Sequence, residues 1–292
     1  MVSTSVIIVN YNTWQLTENL CRNILENPEI PDLEVIVVDN NSREKAPNFF
    51  TDTYNLKLIS SAVNKGFAGG INLGVPEASN PIVTVLNSDI KIQREYPFFG
   101  PLIKRLDSKE NAVVSPKIIY EKDRVIQFAG FTPINKFTGR GFAIGYHQKD
   151  RGQYDIAKPM PRAHGAAIAF KKSVWEKLGG FPEHYFLYYE EMAFCEMVRN
   201  AGYKIWYEPA ATALHIGSFS MLENATPKVY YIFRNRIWYL REHSKLHHKL
   251  ISMPYLLATG LLKSFYFLFT GKNQKAKYIY NGCIDGLFKS WN

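Results

Sequence analysis

Before residue 90 the chain repeatedly sets a short run of apolar, largely β-branched residues and closes it with amide and acid side chains. Ser5–Asn10 (SVIIVN) runs into Tyr11-Asn12, Glu34–Asp39 (EVIVVD) into Asn40-Asn41-Ser42, and Pro81–Leu86 (PIVTVL) into Asn87-Ser88-Asp89. Apolar runs of this length read as strands buried on both faces. Between the first two, Trp14 to Asn27 places Trp14, Leu16, Leu20, Ile24 and Leu25 at a helical period that stops before Pro28. A third strand, Leu56–Ser60, leads into a glycine-rich stretch and a helix running to Ala78. Strand and helix alternating in this order imply parallel pairing with right-handed crossovers, an α/β fold. The polar closures then share one sheet edge, where open α/β sheets bind ligands.

Asp89, flanked by Asn87 and Ser88, offers hard oxygen ligands suited to Mg²⁺ or Mn²⁺, with phosphate oxygens and waters completing the shell. The same three residues also form ordinary surface turns. In Asn64-Lys65-Gly66-Phe67-Ala68-Gly69-Gly70-Ile71-Asn72, glycines permit close backbone approach and the helix start favours anions. A dinucleotide fingerprint would follow the first strand, which instead ends in Asn10-Tyr11-Asn12, so a dinucleotide oxidoreductase is disfavoured.

Composition narrows the class. With 292 residues, 46% hydrophobic and 21% charged, the chain can form one large domain with an appendage. Cys21, Cys195 and Cys283 lie far apart with no CxxC, indicating neither a disulfide framework nor a zinc site, and a cytoplasmic location follows as the expectation. The amino terminus has no basic leader and only a short apolar run, so it reads as the first strand. The net charge of +9 is concentrated: from Lys228 onward eleven Lys and Arg face two acids, Glu242 and Asp285. A neutral body with a basic appendage argues against a nucleic-acid-coating protein.

Further along, Val113–Tyr120 reads as a strand and Gly130–Arg151, with Arg140, His147 and Arg151, as loop-rich ground: a mobile lid or plain surface. Ala163–Phe170 (AHGAAIAF) reads as a strand with His164-Gly165 at its start, and Lys171–Leu178 as a short helix. Glu190 and Glu191, after FPEHYFLYY, stand at a loop-to-helix junction. Acids there either match the helix dipole or, beside Tyr185, Phe186, Tyr188 and Tyr189, carry a raised pKa fit for proton transfer. Lys204–Glu208 and Ala213–Ser220 are strand-like, the second carrying His215. Thr226–His243 is a predicted helix containing Arg234-Asn235-Arg236. Leu250–Phe269 is strongly apolar but interrupted by Pro254, Gly260 and Lys263, which suits a membrane-surface helix or a packed helical pair better than a crossing.

VIIVNYN, VVDNNS, NKGFAGGIN, LNSD, HGAAIAF, FPEHYFLYYEE and HIGSFS together resemble the successive motifs of inverting nucleotide-sugar glycosyltransferases of the GT-A fold, closest to the rhamnosyltransferase-like branch of bacterial polysaccharide synthesis. The resemblance covers about Val6 to Ser220. It implies a Rossmann-like, mixed but mainly parallel sheet with flanking helices over residues 1–226, followed by a helical tail over 227–292. By that resemblance Asn10, Tyr11, Asn12, Asp39, Asn41, Asn64, Lys65, Gly66, Gly70, Asn72, Asn87, Ser88, Asp89, His164, Gly165 and Arg234 line the donor site. Asp89 and His215 hold Mg²⁺ or Mn²⁺, and Glu191, with Glu190 beside it, is the catalytic base.

The implied donor is a nucleoside-diphosphate sugar, dTDP-rhamnose first and a UDP-sugar otherwise. The acceptor is a saccharide or lipid-linked saccharide, and the tail suits an anionic membrane surface at the inner face of the plasma membrane. Three positions depart from the family pattern: Asn87 replaces the first acid of the DxD-type motif, Glu191 replaces Asp, and Ala193 replaces a second acid. Those departures leave an inactive nucleotide-sugar binder as an alternative. A nucleotidyltransferase lacks its basic glycine-rich loop here, and a purely membrane-organising protein would need only the tail.

Overall fold

The computed structural model describes residues 3–27, 29, 33–217 and 227–290. The SFS of the HIGSFS motif and the expected helix start at Thr226 lie outside them. In chain order the elements are β1 (Thr4–Asn10), α1 (Trp14–Leu25), β2 (Glu34–Asp39), α2 (Phe49–Asp52), β3 (Leu56–Ser60), α3 (Gly66–Gly74), β4 (Ile82–Leu86), β5 (Ile90–Ile92), α4 (Phe99–Leu106), β6 (Asn111–Tyr120), β7 (Ile126–Phe128), β8 (Lys158–Pro159), β9 (Ala167–Lys171), α5 (Lys172–Leu178), α6 (Glu190–Asn200), β10 (Lys204–His215), α7 (Pro227–His243), α8 (Leu246–Phe269) and α9 (Asn273–Phe288).

The sheet runs β3-β2-β1-β4-β9-β6-β10-β5, with β7 beside β6 and β8 beside β10. β3, β2, β1 and β4 are mutually parallel. β9 enters antiparallel between β4 and β6, and β5 closes the far edge antiparallel to β10. This mixed, mainly parallel sheet is the expected class, and its uniformly apolar strands (Val6–Ile8, Val35–Val38, Val83–Val85) are buried on both faces.

The sheet must also curl. β4 and β5 stand four places apart in strand order, about 19 Å on a flat sheet at ~4.8 Å per strand. Only Asn87, Ser88 and Asp89 join them, as a tight turn in which the Ile90 N–H donates to the Asn87 carbonyl at 3.0 Å. The far edge therefore folds back over the sheet's middle, carrying β10 with it.

Three boundaries differ from expectation. β9 begins at Ala167, so His164-Gly165 sits in the loop before the strand; a lone bridge from His164 to Ala167 marks the bend. The segments Lys204–Glu208 and Ala213–His215 form one strand, because its pairing with β6 shifts register between Glu208 and Thr212 without breaking. The apolar tail is continuous through Pro254 and Gly260. Gly260 is a packing residue there: a Cβ would stand 2.2 Å from the Cys283 Sγ of α9.

A second apolar cluster joins the halves of the chain. Tyr185, Tyr189 and Ala193 pack with Ile237, Trp238, Tyr239 and Leu240 of α7 and with Ile279 and Cys283 of α9. The position of the missing second acid, Ala193, is thus an apolar contact with the helical tail.

Candidate active site

At the carboxyl ends of β1 and β2, side chains knit the two strands together. Asn10 is fully buried; its Oδ1 accepts from the Thr17 hydroxyl at 2.7 Å and its Nδ2 donates to Ser42 Oγ at 2.9 Å. The Asn12 N–H donates to the same Ser42 Oγ, and Asp39 Oδ1 accepts from the Ser42 N–H. Tyr11 and Asn41 remain exposed at the rim, and Asn12 and Asn41 adopt positive φ of 57° and 66°, a conformation Asn tolerates well. Ser88 Oγ lies 3.2 Å from Thr13 Oγ1, which draws the β4–β5 turn to this edge.

The glycine loop is clamped to the same edge. Asn40, 2% exposed, donates to Asn64 Oδ1 and the Gly66 carbonyl and accepts from the Lys65 N–H. Gly66, at φ +71°, lies so close to the Phe186 carbonyl that an added Cβ would stand 2.1 Å from that oxygen. The Phe67 N–H donates to the same carbonyl at 2.8 Å. Asn64, Lys65 and Gly66 therefore reach the loop that carries the acids.

Gly70, Asn72 and Arg234 have other surroundings. Gly70 lets α3 pack on β1, since a Cβ would meet Val9 Cγ1 at 2.6 Å. Both Nδ2 hydrogens of Asn72 go to the Phe181 carbonyl and Glu183 Oε1, and its Oδ1 accepts from the Phe181 N–H. Arg234 is buried, donating to the Tyr185 carbonyl at 2.9 Å and to Asn235 Oδ1 while its guanidinium covers the Trp238 ring. These three brace the framework around the loop.

Antiparallel pairing of β5 with β10 sets His215 opposite Ile90 and beside Asp89. His215 Nε2 stands 3.0 Å from Asp89 Oδ1, with His215 6% and Asp89 8% exposed. His215 Nδ1 faces Gln127 Oε1 at 2.6 Å. A carbonyl oxygen only accepts, so Nδ1 carries the hydrogen and, in the neutral ring, the Nε2 lone pair points at a carboxylate oxygen. Its near polar neighbour is the Asp89 carboxylate oxygen itself. With a neutral ring, two acceptors aimed at one point in a buried site suit a divalent cation. Among the described residues no third His, Cys, Asp or Glu joins them, so a bound ligand's oxygens and water would complete the shell.

The acids adjoin this pair through the segment before β9. The Asn87 N–H donates to the Ala166 carbonyl at 2.9 Å, and a Cβ on Gly165 would lie 3.4 Å from Glu191 Cγ and 3.5 Å from its Cδ. His164 stacks on Phe131 with ring planes 5° apart. Burial, reinforced by His215 and Arg162, lowers its pKa to about 3, so it stays neutral. Burial raises the Glu191 carboxyl above its ordinary range, opposed by the nearby Arg162 guanidinium. Glu190, 3% exposed with Oε2 unpartnered, is pushed well above that range by burial and then by the charge of Glu191.

Phe186, Tyr188 and Tyr189, just before α6, all hold positive φ (64°, 67° and 77°). Such conformations cost of order 1–3 kcal/mol each and persist where surroundings over-determine them. Asn235 does so here: its Nδ2 lies 2.8 Å from the carbonyls of Tyr185, Leu187 and Tyr188.

Four contributors were not among the residues expected to line the site: Asn40, Gln127, Arg162 and Asn235. Asn40 and Asn235 stand inside recognisable motifs, VVDNNS and Arg234-Asn235-Arg236, where adjacent polar residues give the same signal. Gln127 and Arg162 carry no local signal, because the fold alone brings them to His215 and Glu191.

The curled mixed sheet, with strand-end acids and a carboxyl pair at a helix start, is the GT-A class of glycosyltransferase. In fold it matches GalNAc-T7 solved with UDP, GalNAc and Mn²⁺ (TM-score 0.67, 13% identity, 100% of this chain and 55% of that one). It also matches a mannosyltransferase from Pyrobaculum calidifontis solved with GDP-Man and Mn²⁺ (TM-score 0.54, 19% identity, 98% of this chain and 87% of that one). The chain belongs to Glycosyl transferase family 2, whose model matches residues 5–179. Among its relatives, a low-salt glycan biosynthesis hexosyltransferase of Haloferax volcanii is 29% identical over 241 residues, 80% of this chain and 73% of the relative. An N-acetylglucosaminyl-diphospho-decaprenol L-rhamnosyltransferase of Mycobacterium tuberculosis is 24% identical over 238 residues, 72% of this chain and 75% of the relative.

Proposed function

We propose that the protein is a metal-dependent inverting glycosyltransferase in cell-surface polysaccharide synthesis. It moves a hexosyl or rhamnosyl group from a nucleoside-diphosphate sugar to a hydroxyl of a saccharide or lipid-linked saccharide. The donor is dTDP-rhamnose in the first instance and a UDP-sugar otherwise, and the enzyme works at the cytoplasmic side of a membrane. The observation that supports the reading is the run Asp89–Asn87–Ala166–Gly165–Glu191, which links the Asp89–His215 pair to Glu191 through one hydrogen bond and one close approach. Relatives named as hexosyl- and rhamnosyltransferases, one acting on a decaprenol-linked sugar, support the substrate class, and fold neighbours holding Mn²⁺ support the metal.

Asn12 and Asp39 at the strand ends and Asn64 in the glycine loop receive the nucleoside, with buried Asn10 beneath them holding Ser42 in place. Asp89 and His215 would hold a Mg²⁺ or Mn²⁺ ion, which when bound would supply positive charge where the diphosphate leaves. Glu191 accepts the acceptor hydroxyl's proton as that oxygen bonds to the anomeric carbon. The bond from that carbon to the diphosphate breaks on the opposite face, its electron pair leaving with the diphosphate. The backbone at Gly165 lets the sugar approach, and neutral His164 adds no competing charge. Glu191 reaches about one carbon further than the family's Asp, which sets the acceptor oxygen further from α6.

A panel of nucleotide sugars is assayed for metal-dependent release of nucleoside diphosphate, with and without a lipid-linked acceptor, in wild type and Asp89→Asn. The reading requires one donor that wild type consumes and the variant does not, with nucleoside-diphosphate affinity falling in Mn²⁺ but not in EDTA. Equal loss in both media would remove the metal assignment.

A further inference from the structure

α8 is apolar on the outside. Its buried stripe is Ser252, Leu256 and Gly260, one residue every turn. Nine of its large apolar side chains expose 43–87% of their surface, among them Leu250, Ile251, Leu262, Phe265, Tyr266 and Phe269. At about 100° per residue these fall on a broad arc roughly opposite the buried stripe. No charge interrupts the sequence between Lys249 and Lys263. Scattered exposed hydrophobics are ordinary, but a contiguous arc of this size along one helix marks an interaction face.

We infer that this outer arc of α8 lies on an anionic lipid bilayer, inserted into one leaflet. The inference deepens the lipid-linked acceptor reading by naming the surface on which the enzyme would meet that acceptor. Two observations select lipid. The helices that carry the arc also carry exposed Lys245, Lys263, Lys272 and Lys277, and the only acid between residues 246 and 290, Asp285, accepts a hydrogen bond from Tyr230 at 2.6 Å. An apolar arc on a cationic helical pair attracts anionic head groups and repels a second copy of itself.

The packing of α8 selects lying over crossing. At about 1.5 Å per residue its 24 residues could span a hydrocarbon core. Yet its inner stripe is fixed to α9 at Gly260–Cys283 and by the Ser264 hydroxyl donating to the Ala276 carbonyl. α9 is fixed in turn to α7, where a Cβ on Gly282 would meet the Tyr230 carbonyl at 2.7 Å and one on Gly286 would meet Ile237 at 2.9 Å. A crossing α8 would pull α9, α7 and the buried Arg234 and Arg236 of α7 into the bilayer or tear these contacts apart.

The test is flotation of the full chain with phosphatidylcholine vesicles made with and without phosphatidylglycerol, against a Leu262→Glu, Phe265→Glu double variant that leaves the inner stripe intact. Wild type should float with the anionic vesicles, be weakened in part by high salt and be stripped by alkaline carbonate. The variant should lose about tenfold or more in partitioning while keeping wild-type melting temperature and elution volume. Equal binding of the variant, or no binding by wild type, overturns the inference. Retention after carbonate overturns the single-leaflet placement, and a wild-type dimer that the variant turns into a monomer reassigns the arc to a second copy. UDP binding, followed in parallel without vesicles, reports on the functional reading separately.

Discussion

Glu190 and Glu191 are sequence neighbours on different faces of one helical turn, and that difference divides their roles. Glu191 touches Gly165 and feels Arg162, so Glu191→Gln should preserve UDP and Mn²⁺ binding while turnover falls by about 10² to 10⁴. More than about a tenth of wild-type turnover would exclude it as base. Wild-type turnover should also fall on the acid side as the carboxyl takes up its proton, beginning above the ordinary Glu range because burial raises the pKa. Asp155 and Glu183 are poor substitutes, being paired with Lys117 and Asn72. Glu190 has its raised pKa only in the folded protein. The folded chain therefore holds that proton more tightly than the unfolded chain, and the stability so gained is complete below the ordinary Glu pKa and lost as pH rises through the raised value. Glu190→Gln should accordingly raise the melting temperature at pH 8, with the gain gone near pH 4; thermal unfolding across pH checks this, and a pH-independent gain would remove the cause. Both acids were marked in the sequence by the family resemblance, which sets an acidic pair at this helix start after the aromatic loop. Arg162 was not, since nothing near Pro161 or Ala163 marks a residue whose meaning comes from facing α6.

At the level of elements, the Asp89–His215 pair is a product of register. Asp89 ends a turn after β4, His215 ends β10, and only the antiparallel pairing of β5 with β10 makes them neighbours. β7, paired with β6, then brings Gln127 behind the imidazole. The early strands were legible because each is a buried apolar run with a polar stop. The insertion of β9 and the curl were not, because both depend on partners distant in sequence. Placed there by register, Gln127 fixes the imidazole tautomer and so leaves Nε2 free to ligate. Gln127→Met should weaken Mn²⁺ binding in the presence of UDP by about 10- to 100-fold, whereas Gln127→Glu, which keeps an acceptor at Nδ1, should retain it. Electron paramagnetic resonance titration of Mn²⁺ measures both. Unchanged affinity in the Met variant would mean that Asp89 and His215 need no such support, and unchanged affinity in His215→Ala would remove His215 from the site altogether.

Across the whole molecule the helical tail and the sheet meet in the loop that carries the base. Residues 184–189 receive hydrogen bonds from both sides: the Phe67 N–H at the start of α3 donates to Phe186, and Asn235 on α7 donates to Tyr185, Leu187 and Tyr188. Asn235 is fully buried, so no water replaces its amide. α7 thereby holds this loop, while α9 packs on α7 through Gly282 and Gly286. Asn235→Asp conserves shape but removes the NH₂ group and sets a carboxylate oxygen against three carbonyls. The variant should lose several kcal/mol of stability, on the scale of about 1–3 kcal/mol for each buried polar group left unsatisfied. Where it still folds at low temperature, the positive-φ residues before α6 are released and Glu191 loses its position, so turnover should fall by more than about tenfold while UDP, held at the ends of β1 and β2, binds nearly as before. Thermal unfolding, UDP titration and saturating-substrate turnover on one preparation separate these effects. A variant that loses stability and UDP affinity together while retaining wild-type turnover per folded molecule would show that α7 braces the donor side and that the base holds its place without it.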